Sequence, residues 1–369
     1  MTATTAIAPN GTTPASADAS VLIRVDRGIG RITLNRPRQL NAINHEMVHT
    51  ITAALQEWAA DRDVTAVVID GAGERGLCAG GDIKAIHADA LAGTGTSIDY
   101  WRDEYRLNVL ISRFPRPVLA LMDGIVMGGG VGISAHAGHR VVTERSRVGM
   151  PEVGIGVIPD VGGTWLLSRT PGQLGLHLGL TGQPMSGADA LLAGFADHFV
   201  PADDLGALTD AVAEDGVEAA LAAFAQHPPA SALAAEREWI DRCYVGRDVA
   251  DILDRLDREA NPAAARDAAA IRSASPTSVT VALRAIRGAG ARTLDEAIEV
   301  EFALMGHALR QPDLVEGIRA QVVDKDRNPQ WRPATLDAVG SVDHWFTAPA
   351  TEPVFPWSGL PSVSRPTAK

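Results

Sequence analysis

Cysteine is almost missing from the chain. Cys78 and Cys243 are the only two in 369 residues, too few for a disulfide framework, and this fits a reducing, cytoplasmic compartment. Positive charge is also scarce: the formal net charge is −12, which argues against nucleic acid as a partner. An anionic ligand stays open, because local arginines and backbone N–H groups can hold phosphates. No apolar run approaches the roughly 20 residues of a transmembrane helix, so no membrane partner is expected. Residues 1–20 carry no Lys or Arg, unlike a signal peptide or an Arg-rich transit peptide, and their Ala/Thr/Ser/Pro composition predicts disorder. No cluster with metal-ligand spacing stands out, so no metal is expected.

What is present centres on residues 123–163. An apolar run at 118–122 reads as a buried strand. Gly128-Gly129-Gly130 follows, then small residues at 131–137 that can continue as a helix. Strand, glycine turn and helix start together aim free backbone N–H groups at whatever occupies the turn. The same grammar recurs upstream: a strand at 64–69, then Cys78-Ala79-Gly80-Gly81-Asp82 leading into a helix at Ile83. Each turn alone is an ordinary tight loop; two that each offer one N–H to one oxygen make an oxyanion hole. Downstream stand Glu152 and Asp160, separated by Gly154, Gly156 and Pro159, so the chain must bend between them. A carboxylate pair beside such a hole suits acyl chemistry. The plainer readings are an exposed loop acid for Glu152 and, for Asp160, the N-cap of a helix over 161–168.

Four motifs make the chain recognisable: Leu34-Asn-Arg-Pro-Arg-Gln-Leu-Asn-Ala42, Leu77-Cys-Ala-Gly-Gly-Asp-Ile-Lys84, Asp123-Gly-Ile-Val-Met-Gly-Gly-Gly130 and Met150-Pro-Glu-Val-Gly-Ile-Gly-Val-Ile-Pro-Asp-Val-Gly-Gly163. Together they resemble the crotonase (enoyl-CoA hydratase/isomerase) superfamily, which implies an α/β spiral of repeated ββα units and an acyl-CoA substrate. Within it the chain looks most like the 3-hydroxyisobutyryl-CoA hydrolases. Gly132 stands where a hydratase carries a second catalytic glutamate, and Asp160 where a hydratase usually has glycine. Ser275-Pro-Thr-Ser278, Glu316-Gly-Ile-Arg-Ala320 and Asp324-Lys-Asp326 also match the hydrolases. By that resemblance Gly81 and Gly129 supply the hole and Glu152 is the principal acid, assisted by Asp160. Glu104, Gly128 and Asp82 bind substrate, and Arg38, Leu40, Ala79 and Ile83 lie along the CoA moiety. Read by itself, Glu104 is a solvated residue of a helix over 97–113. Thioester hydrolysis by nucleophilic attack and by activated water both remain open, as does hydration or isomerisation of an enoyl-CoA on the same fold. CoA belongs to the substrate, and no separate cofactor is implied. The superfamily often forms homo-oligomers.

In chain order, residues 21–24 and 31–34 flank Asp26-Arg27-Gly28 as a hairpin. Asn44 can cap a helix whose face is Met47, Ile51, Leu55 and Trp58. Repeated strand–helix crossings predict parallel strands. Residues 90–97 are small and Gly/Thr-rich, as in a mobile lid edge. Cys78 reads as a small buried residue, and His136 and His139 read as structural. The division expected is a catalytic core at 21–202, a helical region at 203–345 that walls the pocket, and a tail at 346–369.

Overall fold

The computed structural model describes residues 18–347 and 354–355. The expected disordered segment and tail lie almost wholly outside these residues. The described strands are β1 (Val21–Asp26), β2 (Ile29–Leu34), β3 (Ala66–Gly71), β4 (Val118–Met122), β5 (Ile125–Met127), β6 (His139–Val142), β7 (Arg147–Gly149), β8 (Met185–Ser186) and β9 (His198–Phe199). The larger sheet runs β1-β2-β3-β4-β6-β9 and the smaller β5-β7-β8. β1 pairs antiparallel with β2 through a turn in which Arg27 and Gly28 both have positive φ, the geometry of a tight hairpin. All later pairings in the large sheet are parallel. β3 begins two residues later than its apolar run suggests.

Each turn of the chain gives one strand to the large sheet and a shorter extended segment to the small layer, then a helix. β4 is followed by β5 and α4 (Gly129–Ser134). Earlier turns reach the same layer through isolated bridges, Ile43 to Gly81 and Cys78 to Val126. The intervening helices are α1 (His45–Ala60), α2 (Ile83–Ala92) and α3 (Thr96–Ser112). This is the crotonase-like ββα spiral. α1 forms as its pattern predicts: the Asn44 side chain accepts a hydrogen bond from Met47 N at 2.9 Å, and Met47, Ile51, Leu55 and Trp58 are buried.

After α5 (Gly163–Leu167), α6 (Leu174–Thr181) and α7 (Gly187–Leu192), the described chain beyond β9 is helical: α8 (Leu205–Asp215), α9 (Val217–Phe224), α10 (Ala232–Cys243), α11 (Val249–Arg258), α12 (Pro262–Ser273), α13 (Pro276–Ala289), α14 (Leu294–Ala308) and α15 (Pro312–Ile318). Pro262, Pro276 and Pro312 open their helices, where a missing N–H costs nothing.

The two faces of the large sheet explain why its strands read as continuous apolar runs. Ile32, Leu34, Val67, Ile69, Ala120, Met122 and Val142 belong to the main core. Ile29, Val68, Leu119, Leu121 and Val141 face the other way, onto Leu208 and Val212 of α8 and Val217 and Leu221 of α9. Burying those four helix side chains stabilises the fold by about 1.5–3 kcal/mol each, as an upper estimate. Ending the chain after Asp203 uncovers that sheet face and the apolar surface of α6. The truncated protein is expected to sediment as aggregate after expression; a soluble truncation that keeps turnover contradicts this account of the packing.

Candidate active site

The two glycine turns meet at one point. Around the bridge between Ile43 and Gly81, Ile43 N donates to Gly80 O at 2.9 Å and Asp82 N donates to Ile43 O at 2.8 Å. Alternation along an extended segment therefore turns the N–H of Gly81 away from that bridge. Gly129 is the first residue of α4, so its N–H has no partner within the helix. Neither N–H donates to a backbone acceptor among the described residues. A Cβ on Gly129 would lie 3.3 Å from Gly81 N and 2.6 Å from Glu104 Oε1. A side chain at 129 would thus fill the space that both donors face.

Three acids share a cavity of about 420 Å³ with these turns: Glu104, Glu152 and Asp160. All are buried. Burial pushes each carboxyl above its ordinary range, Glu104 to about 8. For Glu152 the neighbouring Asp160 charge adds to burial in the same direction. Asp160 is also raised by burial, but Tyr105 OH donates to its Oδ2 at 2.7 Å and favours the ionised form. Glu152 Oε2 and Glu104 Oε1 have no hydrogen-bond partner among the described residues. The geometry therefore puts the charge of the Glu152–Asp160 pair on Asp160 and the proton on Glu152, although the two titrate together. Among the described residues, no lysine or arginine lines the cavity.

The helical region builds the wall opposite the glycine turns. Ala270 and Ser273 of α12, Met305 of α14, Leu314 and Ile318 of α15, and Gln321 all line the cavity. It also fixes the acids. Gly156, at φ +82°, lies so close to Asp313 that a Cβ would overlap the Asp313 carbonyl, and a Cβ on Gly317 would lie 2.5 Å from the carbonyl carbon of Ile155. The turn bearing Glu152 is thus seated backbone to backbone on α15. Ser275 N donates to Val153 O at 3.2 Å, and Ser275 OH to Asp313 Oδ2 at 2.6 Å. Arg319 holds Glu316, Asp324 and Asp326 at 2.7–2.8 Å. The C-terminal motifs thus tie α15 and the segment after it in place.

Past Asp160 the chain is held from α14. Glu301, fully buried, accepts hydrogen bonds from Gly162 N at 2.7 Å, from Thr164 N at 2.9 Å and from the Thr164 hydroxyl. It caps α5 in trans. His136 Nε2 sits 2.8 Å from Val161 O. Between these anchors Val161 adopts φ +53°, a left-handed conformation that is strained for a β-branched residue.

Several sequence expectations land elsewhere. Asp160 is not a helix cap: α5 starts at Gly163 behind Gly162, and the Asp160 carboxylate turns inward to Tyr105. Glu104 is 2% exposed, not solvated, because α3 is covered on that side by the cavity walls. α4 begins at Gly129, inside the glycine triplet, rather than at 131. Gly128, Ala79 and Ile83 line the cavity; Asp82, Arg38 and Leu40 do not. Asp82 pairs with Arg36 at 3.0 Å, Arg38 is exposed, and Leu40 accepts a hydrogen bond from Ala79 N at 3.0 Å. The segment expected as a mobile edge is tied by Asp89, which accepts from Thr96 N, Ser97 N and the Thr94 hydroxyl, and it stays off the cavity. Burial raises the Cys78 thiol to about 12, so it is no nucleophile at neutral pH. His139 stacks on His198. Glu301, Tyr105 and Tyr100, which lines the cavity and hydrogen-bonds Glu104, carried no sequence expectation. Their only sequence signal was their place in helices, and helical periodicity does not say which polar residue turns inward.

Gly132 is enclosed. A Cβ there would lie 2.7 Å from Val161 Cβ and 2.9 Å from Asn108 Nδ2, so no carboxylate fits at that position without rebuilding the wall.

Two outcomes follow from this geometry. Glu104 binds its proton up to about pH 8 in the folded chain, against an ordinary value of 4.5. The folded state therefore holds more protons than the unfolded chain between those values, and that stability is present below 4.5 and lost as pH rises through 8. Glu104→Gln is expected to flatten the fall of the thermal midpoint between about pH 5 and 8; an unchanged slope contradicts the burial of an ionisable group here. Glu301→Ala leaves three donors unpaired at roughly 1–3 kcal/mol each, and a denaturant midpoint equal to that of the parent protein contradicts the cap.

A family model described as Enoyl-CoA hydratase/isomerase matches residues 29–345. The chain is 38% identical over 336 residues to the mitochondrial 3-hydroxyisobutyryl-CoA hydrolase of Rattus norvegicus, covering 88% of this chain and 87% of that protein. The crystal structure of a carnitinyl-CoA dehydratase from Mycobacterium thermoresistibile superposes with a TM-score of 0.89 at 51% identity, covering 92% of this chain and 99% of that one. An enoyl-CoA hydratase from Rhodobacter sphaeroides superposes with a TM-score of 0.85 at 43% identity, covering 89% and 98%. A spiral of ββα units, two facing glycine turns and this extent of similarity lead to one conclusion: the chain belongs to the enoyl-CoA hydratase/isomerase (crotonase) family.

Proposed function

We propose that the chain is a CoA-thioester hydrolase converting 3-hydroxyisobutyryl-CoA and water to 3-hydroxyisobutyrate and CoA, a step of valine breakdown. The observation that carries this reading is one cavity in which two unpartnered N–H groups, of Gly81 and Gly129, face a buried carboxyl with a free oxygen, Glu152. The substrate is the one named for the rat relative.

The thioester oxygen sits between the two N–H groups, which stabilise the negative charge that develops when the carbonyl carbon is attacked. In its ionised form, the proton having passed to Asp160, with which it titrates, or to water, Glu152 either attacks that carbon, giving a mixed anhydride that water then hydrolyses, or takes a proton from the attacking water. In both routes the C–S bond breaks, the acyl group gains the water oxygen, and a proton reaches the CoA sulfur. Asp160, held by Tyr105, keeps the proton affinity of Glu152 high and orients the water or the substrate hydroxyl. Glu104 Oε1, unpartnered beside Gly129, is the acceptor offered to the substrate hydroxyl. The pantetheine arm leaves past Ala79 and Ile83 toward the loop that carries Arg38 and Leu40. A cytoplasmic location belongs to the same proposal and rests on two buried, unpaired cysteines.

The solved relatives carry the names of a dehydratase and a hydratase, and that gives the rival reading. Against a two-glutamate hydratase stands Gly132, where the wall has no room for an acid.

Variant kinetics on 3-hydroxyisobutyryl-CoA, followed by release of free CoA thiol, test the roles. Glu152→Gln is expected to abolish turnover. Asp160→Asn removes the charge beside Glu152, so the acid limb of the pH–rate profile moves to lower pH while kcat falls by about 100-fold, as for a lost acid–base group. Both parameters unchanged in Asp160→Asn would remove Asp160 from the mechanism.

A further inference from the structure

Outside the cavity, two helices bring three ligating side chains to one spot. His45 and His49 lie four residues apart on α1 and share a face. Asp103 comes from α3, which packs beside it. Asp103 Oδ2 is 2.8 Å from His45 Nε2 and 3.0 Å from His49 Nε2, and all three ligand atoms lie within 4.8 Å of one another. The side chains are 36%, 62% and 30% exposed, so an ion has access and free positions for water.

We propose that His45, His49 and Asp103 form a divalent transition-metal site of the two-histidine, one-carboxylate type. A metal about 2.0–2.1 Å from each ligand sets ligand–ligand separations of roughly 3.0–3.4 Å. The observed 2.8 and 3.0 Å need to open by only a few tenths of an ångström. The first turn of α1 is fixed by the Asn44 cap, and His45 packs edge-on against Tyr100 with ring centroids 5.9 Å apart. The other oxygen of Asp103 is engaged by Arg106 at 3.3 Å, while Arg106 Nε donates to Val354 O at 2.8 Å. Oδ2 is therefore left to the metal, and the carboxylate is held from its outer side. Imidazole with one carboxylate selects Zn²⁺, Co²⁺ or Ni²⁺ over Mg²⁺ or Ca²⁺, which prefer all-oxygen shells. None of the three residues lines the cavity, so the site is not part of the hydrolytic machinery. Its ion joins α1 to α3 next to Glu104 and on the helix that carries Tyr100 and Trp101.

The sequence alone gave no sign of this site. His45 and His49 have helical spacing, but the third ligand is 54 residues downstream of His49 and on another helix. The rival explanation is a carboxylate accepting hydrogen bonds from two imidazoles.

Calorimetric titration of tag-free, chelator-stripped full-length protein separates the two. Zn²⁺ is expected to bind with a stoichiometry of one and raise the thermal midpoint, Co²⁺ to bind with a visible ligand-field spectrum, and Mg²⁺ to do neither. His49→Ala and Asp103→Asn are each expected to weaken Zn²⁺ binding at least tenfold, the scale on which lost metal contacts act, and to cancel the thermal shift. Thiol-release activity of chelator-stripped His49→Ala should match that of the chelator-stripped parent. Absence of stoichiometric Zn²⁺ binding by the parent overturns the proposal. So does equal binding by both variants.

Discussion

Three carboxyl groups in an apolar cavity, with no cation among the described residues of its walls, set the terms for everything around them. Burying even one ionised acid without a partner is costly, and the group responds by keeping its proton. Glu104 and Glu152 do so, each with one oxygen free of partners. Asp160 accepts a hydrogen bond from the Tyr105 hydroxyl, which favours its charge. The result is a site with a mobile proton, one stabilised charge and, across the cavity, two N–H groups waiting for an oxygen. That asymmetry between neighbouring carboxyls is what separates an acid or nucleophile from its supporting group.

Such an arrangement can exist only if the chain that carries it is held from outside. Glu104 sits on α3, but Glu152 and Asp160 sit on irregular backbone between Pro151 and Gly163, and irregular backbone does not hold itself. The helical region supplies the grip. α15 packs against the Glu152 turn through Gly156 and Gly317, α14 reaches in with Glu301 to fix Gly162 and Thr164, and Ser275 ties the start of α13 to Val153. Val161, kept left-handed between Glu301 and His136, carries the strain of turning Asp160 inward. Core and helical region are thus one mechanical unit around the cavity, and α8 and α9 seal the far side of the same sheet.

Much of this was legible in the sequence because its signals are local. Continuous Val/Ile/Leu runs gave the parallel strands, glycine-rich stretches after them gave the two turns, and the cap at Asn44 stood where its helix begins. Gly81, Gly129, Glu104, Glu152 and Asp160 do meet in one cavity. What the sequence did not reveal depends on which way a side chain turns. Asp160 looked like a cap because it precedes a helix by a plausible distance, yet the preceding residues turn it toward Tyr105. Glu104 looked solvated because helical polar residues usually are. Asp82 follows a cavity glycine, but a one-residue step along an extended segment reverses direction, and it meets Arg36 instead. Glu301 and the His45–His49–Asp103 group come from contacts between distant helices, which no local pattern encodes.

The central claim is that this cavity breaks a thioester rather than hydrating a double bond. The direct test is a parallel assay of the purified parent protein, measuring thiol release from 3-hydroxyisobutyryl-CoA against loss of enoyl absorbance from crotonyl-CoA. The account predicts thiol release without hydration. Hydration without thiol release would contradict it, and would mean that the enclosed glycine at 132 does not prevent addition of water across a double bond.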